Sequence, residues 1–248
     1  MKLTVVGSGD AFGSGGRLQS CYHLEAEGSE LLLDCGATAI IGMQRLGLDP
    51  DRISTIVISH LHGDHFAGLV WFLLHAHYVT RRTTPLKVIG PESIEERFAA
   101  AAEALFPQST RIDRRFEMTF DKHRGGVARE IDGYRITPFE VSHPSGAPPY
   151  ALRVEVGGKV LAFSGDTKWV DVLLEAAAGA DLYISECYGY DVEGGYHMSW
   201  RDIVQNLDRL GAHKVLLTHM GGGMLSRVSE VSSDPRVLLA EDGLRLEI

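Results

Sequence analysis

The amino-acid sequence predicts a layered α/β protein in which helices cover β-sheets. Hydrophobic residues make up 44% and charged residues 23% of the 248-residue chain, close to the average for globular proteins. Short apolar, β-branched runs recur along the chain, and each is bounded by Gly, Asp or Pro, as strands are. Helical patterns lie between some of these runs. This alternation favours sheets with helices packed on their faces.

Ten apolar runs are predicted as strands. The first run begins almost at the amino terminus, where the sequence has no apolar signal-peptide core. The last run lies at the end of the chain. The predicted strands are Leu3–Val6, Leu31–Leu33, Ile56–Ile58, Leu86–Ile89, Tyr134–Val141, Tyr150–Val156, Val160–Phe163, Leu182–Ile184, Val215–Leu217 and Leu244–Ile248.

Four segments are predicted as helices from their apolar spacing. Two of them begin with the spacing of a capping box, in Ser93 with Glu96 and in Ser199 with Asp202. A glycine at position 211 follows the last helix and is a typical stop signal. The predicted helices are Phe66–Tyr78, Ser93–Leu105, Val170–Ala178 and Ser199–Leu210.

Composition narrows the function classes. The net charge of −9 makes the chain a poor general binder of nucleic acid. Its cysteines, Cys21, Cys35 and Cys187, are too widely spaced for a zinc finger, and a sparse, odd set fits a reducing compartment. The longest apolar run, around Phe66–Leu74, is too short to span a bilayer. We therefore expect a cytoplasmic protein with no membrane partner, formed by a single domain over residues 1–248.

The run His60-Leu61-His62-Gly63-Asp64-His65 directly follows a predicted strand. Residues i and i+2 of an extended segment point the same way, so His60 and His62 can aim at one centre. After a sharp turn at the glycine, Asp64 and His65 can aim at a neighbouring centre. Imidazole and carboxylate ligands together suit zinc, manganese or iron. Four such side chains within six residues predict a metal site.

Three other predicted strands also end in residues that can bind metal. His143, Asp166 and His219 each follow a predicted strand by two or three residues. Two imidazoles and a carboxylate at strand ends would complete two metal sites begun by the histidine run. A carboxylate such as Asp166 can bridge two cations with its two oxygens.

These residues resemble the motifs of the metallo-β-lactamase superfamily. The HxHxDH motif of that family is matched at every position by residues 60–65, and its later motifs match at His143, Asp166 and His219. Asp34 matches the early aspartate, for which a structural role that ties down the metal loop is expected. The resemblance covers nearly the whole chain. It implies the αββα four-layer sandwich, with two sheets face to face, helices outside and metals at one edge.

The resemblance also implies a ligand set for two divalent ions. Zinc is favoured, and manganese and iron are alternatives. Two such ions can share one water or hydroxide, which becomes a nucleophile at neutral pH. Ser59 and Thr218 flank ligands, and they either hydrogen-bond to them or make ordinary strand hydrogen bonds. One metal is expected at His60, His62 and His143, the second at Asp64, His65 and His219, with Asp166 as the bridge.

The segment His197-Met198-Ser199 resembles the HxS/T motif of the ribonuclease Z and phosphodiesterase branch. The extra histidine serves phosphodiester cleavage there, because it can protonate the leaving alkoxide or stabilise the transition state. Glu186 matches the acidic position of this branch and is expected to orient His197. The expected catalytic residues are Asp64, His197 and Glu186. The alternative for His197 is a loop histidine without a role.

The glycine-rich segment before Arg17 also resembles this branch. The fork-shaped guanidinium of Arg17 is predicted to contact a substrate phosphate. The alternative is an ordinary surface arginine in a glycine loop.

The interval between His143 and Asp166 limits the substrate. In ribonuclease Z a long arm that grips transfer RNA is inserted at this point. Here the interval has room only for a turn and two strands. The pattern is closer to small-substrate relatives such as the cyclic phosphodiesterase associated with phosphonate breakdown, although this chain lacks the cysteine-based zinc site of that relative. A small-molecule phosphodiester is therefore the expected partner, and nucleic acid is not favoured.

The leading hypothesis is a binuclear phosphodiesterase that uses a metal-bridging hydroxide on a small or cyclic phosphodiester. Three alternatives stay open. The first is a ribonuclease Z-like endonuclease that processes transfer-RNA 3′ ends. The second is a thioester, lactone or β-lactam hydrolase on the same metal core, and the third is a non-catalytic binding protein that retains the site. By resemblance to relatives in the branch, a homodimer is also expected.

Overall fold

The computed structural model describes residues 1–191, 195–231 and 234–248. In these ranges, two mixed seven-stranded sheets pack face to face and helices cover their outer faces. The αββα sandwich expected from the resemblance is therefore confirmed. No helix in the described ranges is both long enough and apolar enough to cross a membrane.

The first sheet has the strand order β14-β1-β2-β3-β4-β5-β6. Strands β3 to β6 run parallel to one another, so their carboxyl ends lie at one edge of the sheet. Its strands are β1 (Lys2–Gly7), β2 (Cys21–Ala26), β3 (Ser29–Leu33), β4 (Ile53–Val57), β5 (Leu86–Gly90), β6 (Met118–Lys122) and β14 (Arg245–Glu247).

The second sheet has the strand order β13-β12-β11-β10-β9-β8-β7. Strands β10 to β13 are parallel, and β8 and β10 are both antiparallel to β9. The carboxyl ends of β8, β10, β11 and β12 consequently meet at one edge. Its strands are β7 (Arg129–Ile131), β8 (Tyr134–Glu140), β9 (Tyr150–Val156), β10 (Lys159–Phe163), β11 (Leu182–Glu186), β12 (Val215–Thr218) and β13 (Val237–Leu239).

Seven α-helices lie in the described ranges. Helices α1, α3 and α4 pack on the first sheet, while α5 and α6 pack on the second. The helices are α1 (Ala39–Leu46), α2 (Gly63–Phe66), α3 (Gly68–Tyr78), α4 (Ile94–Leu105), α5 (Val172–Ala177), α6 (Trp200–Leu210) and α7 (Gly222–Leu225).

Strand periodicity divides the apolar residues into three cores. Successive strand side chains point to opposite faces, so Ile56 packs under the helices while Val57 packs between the sheets. Ala162 and Phe163 divide in the same way in the second sheet. The core between the sheets holds the two sheets together and fixes where their carboxyl edges meet.

All ten predicted strands are found, and four further strands were missed. The missed strands are β2, β6, β7 and β13. The last three lie at or beside the exposed edges of the sheets and are short or polar, so their apolar signal is weak. Strand β2 was missed because the polar residue His23 interrupts its apolar pattern. His23 is buried, and its Nε2 lies 2.9 Å from Glu30 Oε2.

The predicted helix Phe66–Tyr78 is two helices, α2 and α3, and helices α1 and α7 were missed. The chain turns at Gly63 as expected, because His62 is extended and Gly63 is the first residue of the one-turn helix α2. The predicted capping box at Ser93 was wrong: Ser93 has a φ of 70° and its side chain makes no capping hydrogen bond. The capping box of Ser199 and Asp202 is confirmed.

Candidate metal centre

The carboxyl ends of the strands bring the predicted metal residues together at one edge of the sandwich. His60 follows β4, His143 follows β8, Asp166 follows β10 and His219 follows β12. Their ligand atoms form two clusters, in each of which all ligand atoms lie within 4.8 Å of one another. The first cluster is His60, His62, His143 and Asp166, and the second is Asp64, His65, Asp166 and His219.

Three imidazoles converge in the first cluster. The distance between His62 Nδ1 and His143 Nε2 is 3.1 Å. The ring of His60 lies 5.0 Å from that of His62 and 5.1 Å from that of His143, centroid to centroid, with nearly perpendicular planes. Nitrogens that approach from perpendicular rings can bind one ion from different directions.

The second cluster gathers around His65. Its Nε2 lies 3.3 Å from Asp64 Oδ2 and 3.3 Å from Asp166 Oδ1. The Nε2 of His219 lies 3.3 Å from Asp166 Oδ2. All four side chains are buried, with 1 to 7% of each residue exposed, so solvent barely competes for these atoms.

Asp166 belongs to both clusters. Its Oδ1 faces His65, and its Oδ2 lies 3.7 Å from His60 Nε2 and 4.0 Å from His143 Nε2. A carboxylate in this position can touch two neighbouring ions, as the sequence predicted for Asp166.

Four of the cluster imidazoles have one ring nitrogen that faces away from the cluster, and that nitrogen makes a hydrogen bond. The Nδ1 of His143 donates to the carbonyl of Tyr196 at 2.9 Å, and the Nε2 of His62 donates to the carbonyl of Pro144 at 3.1 Å. The other two partners are Asp34 for His65 and Ser59 for His60. Such bonds fix the tautomer, which leaves the opposite nitrogen of each ring with a lone pair for a metal.

Two of these inward-facing nitrogens are buried polar atoms without a hydrogen-bond partner among the described residues. They are the Nε2 atoms of His60 and His65. A buried polar atom without a partner costs free energy, and a bound cation would satisfy both atoms. The donor set of imidazole nitrogens and carboxylate oxygens fits first-row divalent ions. The residues of the two clusters therefore fit a two-metal site.

For three of the imidazoles and the shared carboxylate, the electrostatics favour the metal-binding protonation states. Burial lowers the pKa of His60, His143 and His219, which keeps these imidazoles neutral. Burial alone would raise the pKa of Asp166, but the charges of His219, His65 and His60 lower it well below its usual range. Neutral imidazoles and ionised carboxylates are the forms that bind metal.

Three carboxylates surround His65. Burial would lower the pKa of His65, yet the charges of Asp166, Asp64 and Asp34 raise it well above its usual value. These carboxylates favour a positive charge in this position, and a bound divalent cation would supply it.

Asp34 has the structural role that the resemblance implied. It follows β3 with a left-handed φ of 57°, and its Oδ2 lies 2.6 Å from His65 Nδ1. It also accepts hydrogen bonds from the backbone N–H and the hydroxyl of Ser59. Of the two hydroxyls expected near ligands, that of Ser59 hydrogen-bonds to a cluster imidazole, at 3.1 Å from His60 Nδ1. The hydroxyl of Thr218 instead hydrogen-bonds to Tyr22 and to the carbonyl of Ser8, and to no metal-cluster side chain.

His197 and Glu186 form a pair beside the clusters. Glu186 ends β11 and is 1% exposed, and its Oε2 lies 3.0 Å from His197 Nδ1. The same Nδ1 lies 3.9 Å from Asp166 Oδ2. Glu186 also accepts a hydrogen bond from the backbone N–H of Thr167, next to Asp166. The structure thus brings His197 and Glu186 together with the residue that the two clusters share.

Arg17 lies in a loop that is tied to the second cluster through the backbone. The N–H of His219 donates to the carbonyl of Ser8 at 3.0 Å, and Gly9 donates to Leu18 at 2.7 Å. The Arg17 side chain is half-buried and has neither a salt bridge nor a hydrogen bond within the described parts of the chain. Its guanidinium is free to meet an anion, although it touches neither cluster.

One neighbour of the site was missed from the sequence. The ring of Tyr188 stacks on His197 with a centroid distance of 5.0 Å and an interplanar angle of 29°. Tyr188 lies two residues after Glu186, and no spacing or motif marks it. Only the pairing of residues 188–190 with residues 198–201 brings the two rings together.

Known proteins share this fold over their whole length. The human short-form tRNase Z superposes with a TM-score of 0.81 at 22% identity, covering 100% of this chain and 99% of that one. The metallo-β-lactamase fold protein YhfI of Bacillus subtilis superposes with a TM-score of 0.79 at 22% identity, covering 99% of both chains. A diphosphatase from the PhnP family gives 0.79 at 21% identity, covering 100% of this chain and 97% of that one.

Sequence relatives agree with the fold. Ribonuclease Z of Methanosarcina acetivorans is 25% identical over an alignment that covers 100% of this chain and 98% of the relative. The probable metallo-hydrolase YhfI of Bacillus subtilis is 26% identical, with 89% and 87% covered. A family model described as "Anti-Pycsar protein Apyc1" matches residues 1–237, a range that includes both clusters, His197 and Glu186. The chain is therefore a metallo-β-lactamase fold hydrolase and belongs to the family of the anti-Pycsar protein Apyc1.

Proposed function

We propose that the protein is a binuclear metal-dependent phosphodiesterase that opens a cyclic nucleotide or a similarly small cyclic phosphodiester. One observation carries this proposal: the His197–Glu186 pair lies beside Asp166, the carboxylate that both metal clusters share. A proton donor next to a two-metal site suits a reaction that releases an alkoxide.

The metal ligands in this proposal are those of the two clusters. His60, His62 and His143 would hold one ion, Asp64, His65 and His219 would hold the other, and Asp166 belongs to both groups. We favour zinc, because imidazole and carboxylate are its usual ligands in hydrolases. When bound, the ions supply an activated water and neutralise the charge that builds on the phosphoryl group.

His197 is the proposed proton donor. Burial would lower the pKa of His197, but the hydrogen bond and charge of Glu186, together with the charge of Asp166, raise it to about 9. Protonated His197 can therefore protonate the leaving oxygen at neutral pH. In the net reaction, water adds to phosphorus, the bond from phosphorus to one ester oxygen breaks, and His197 protonates that oxygen. The remaining water proton restores His197, and the product is a phosphomonoester.

The shape and charge of the protein favour a small substrate. The chain between His143 and Asp166 is filled by a turn and by the β9–β10 hairpin, which leaves no projecting arm in this interval. The net charge of −9 opposes transfer-RNA binding. Members of the Apyc1 family degrade cyclic nucleotides, and a cyclic nucleotide has the size of the proposed substrate. We also propose that Arg17 contacts the phosphate.

The test is a substrate panel with purified, metal-loaded protein. It contains 3′,5′-cyclic nucleotides, an aryl phosphodiester, a precursor transfer RNA, a thioester and a lactone. We expect hydrolysis of the cyclic nucleotides and the aryl phosphodiester. Preferential turnover of the thioester or lactone would refute the proposal, and cleavage of the transfer RNA alone would replace it with the endonuclease.

Variants assign the activity to the site. His60→Ala and Asp166→Ala should abolish hydrolysis with loss of bound metal, as measured by elemental analysis. His197→Ala should lower kcat about 10²-fold or more while the metal content stays at the wild-type value. His213→Ala is the matched control and should retain wild-type activity. His213 is exposed and precedes β12, whereas His219 follows that strand.

A further inference from the structure

We propose that Tyr188 is a positioning residue that holds the His197 imidazole in the orientation required for proton donation. The inference rests on the proposed role of His197 and adds a residue that acts only through that histidine. Tyr188 itself is not a catalytic residue, because its ring contacts His197 and lies 6.4 Å from His219, centroid to centroid.

The His197 ring lies against three other rings. Tyr188 stacks on it at 5.0 Å and 29°, and His219 stacks at 5.5 Å and 20°. The ring of His143 is tilted against it, with 4.8 Å between the centroids. Within the described residues, the one hydrogen bond of the ring joins Nδ1 to Glu186 Oε2 at 3.0 Å, while Asp166 Oδ2 lies farther from the same nitrogen, at 3.9 Å. One hydrogen bond fixes a distance but leaves the ring free to tilt about it. Stacked neighbours remove that freedom, because tilting the imidazole would drive its atoms into the adjacent ring.

Tyr188 is itself held firmly. Its N–H donates to the carbonyl of Met198 at 3.0 Å, and its carbonyl accepts from the N–H of Gly221 at 3.0 Å. Gly221 also packs against the tyrosine ring: a Cβ added there would lie 2.9 Å from Cε2 of Tyr188. The ring is therefore confined between Gly221 and His197. The chain segments that carry Tyr188, His197 and His219 are thus joined by their backbones.

The ring of Tyr188, and not its hydroxyl, makes the contact. The hydroxyl has no hydrogen-bond partner within the residues that the structure describes, whereas the ring face covers the imidazole. With Nδ1 bound to Glu186, Nε2 of His197 is the nitrogen left to face a substrate. Holding the ring plane determines where that nitrogen lies. A displacement of a catalytic group by about 1 Å can cost about 10²-fold in rate.

The experiment measures how the rate depends on the leaving group. A series of aryl and alkyl phosphodiesters with leaving groups of increasing pKa is hydrolysed by metal-loaded protein, and log kcat is plotted against that pKa. A good leaving group needs no proton, while a poor one does. We expect Tyr188→Leu to steepen the slope, with a loss of about 10- to 100-fold for alkyl leaving groups and less than about threefold for p-nitrophenolate.

Three further variants make the test specific. Tyr188→Phe keeps the ring and should restore the wild-type slope. Tyr190→Leu is the matched control, because Tyr190 lies in the same segment but packs under Arg227, with 3.5 Å from the guanidinium carbon to the ring centroid. Its slope should equal that of the wild type. In a His197→Ala background, Tyr188→Leu should not steepen the slope further, since a residue that acts through His197 has nothing left to position.

Several results would overturn the inference. They are a wild-type slope for Tyr188→Leu, an equal loss for all leaving groups at full metal content, failure of Tyr188→Phe to restore the slope, or additive effects with His197→Ala. Should Tyr188→Leu not fold, Gly221→Ala takes its place, because the added Cβ must displace the tyrosine ring. Gly221→Ala should steepen the slope as well, and a wild-type slope there counts against the inference.

The same series separates this inference from the proposed substrate. If the wild-type protein hydrolyses the phosphodiester series but no cyclic nucleotide, the substrate proposal fails while the role of Tyr188 is still decided by the slopes. If cyclic nucleotides are opened and the slopes do not differ, the substrate proposal stands and the role of Tyr188 is refuted.

Discussion

The carboxylate of Asp34 and the imidazole of His65 lie 2.6 Å apart, between Oδ2 and Nδ1, and both side chains are buried. The same carboxylate accepts hydrogen bonds from the N–H and hydroxyl of Ser59, whose oxygen lies 3.1 Å from His60 Nδ1. Asp34 therefore orients one imidazole of each metal cluster, directly for His65 and through Ser59 for His60.

Replacing Asp34 with Asn should weaken metal binding. The variant removes the negative charge that fixes the His65 tautomer, and loss of such a partner typically lowers metal affinity about 10- to 100-fold. Calorimetric titration of the metal-free protein with zinc measures the change in metal affinity. Asp132→Asn is the matched control, because Asp132 also has a left-handed φ, of 51°, which Asn tolerates, and it bonds to Ser54 and Thr55 instead. Equal affinities for the wild-type protein and Asp34→Asn would contradict this role.

Replacing Arg17 with Ala should raise KM for phosphodiesters about tenfold and leave kcat within about threefold. A free guanidinium that contacts the substrate phosphate in both the ground state and the transition state contributes uniform binding, and tenfold corresponds to about 1.4 kcal/mol. Steady-state kinetics at fixed salt provide the measurement. Arg45→Ala, an exposed arginine of α1, is the control. A fall in kcat at unchanged KM would assign Arg17 a different role.

Gly68→Ala should destabilise the protein and disturb the metal loop. A Cβ at Gly68 would lie 2.1 Å from the carbonyl oxygen of Gly36 and 2.6 Å from that of Cys35, so the backbone must move. Overpacking of this kind costs about 1–3 kcal/mol in the free energy of unfolding. Gly222→Ala, where nothing lies within 4 Å, should change that free energy by less than about 1 kcal/mol. Urea unfolding measures the free energy of unfolding of both variants. Equal decreases for Gly68→Ala and Gly222→Ala would contradict the packing argument.

His123 should make the protein less stable in acid. Burial lowers the pKa of His123 to about 4, with the nearby charge of Arg129 adding to the effect against the hydrogen bond to Ile58. Because the folded pKa lies below the unfolded one, the contribution is fully present above about pH 6.5 and is lost as pH falls towards 4. The free energy of unfolding should drop by about 2 kcal/mol between pH 7.5 and pH 5 from this group alone.

His123→Gln tests this pH dependence. The glutamine amide can still donate to the carbonyl of Ile58, which accepts from His123 Nε2 at 2.9 Å, but it does not titrate. Urea unfolding of metal-free protein at both pH values should show a smaller decrease for the variant by about 2 kcal/mol. An identical decrease in the two proteins would show that His123 does not carry the effect.

The sequence by itself determined the fold class and the members of both metal clusters. Metal ligands are recognisable because the chemistry demands particular side chains at strand ends, and the spacing of His60, His62, Asp64 and His65 follows from local backbone geometry. Asp166 was predicted as the shared carboxylate from the resemblance, and its two oxygens face residues of both clusters.

Only the tertiary structure decided which ordinary residues serve those ligands. Ser59 and Thr218 occupy equivalent positions in the sequence, each just before a ligand, yet only Ser59 reaches an imidazole of the clusters. Tyr188 has no motif, and its contact with His197 depends on the pairing of two segments. Such partners are set by packing between distant segments, and many residue types could fill each position, so local sequence carries little information about them.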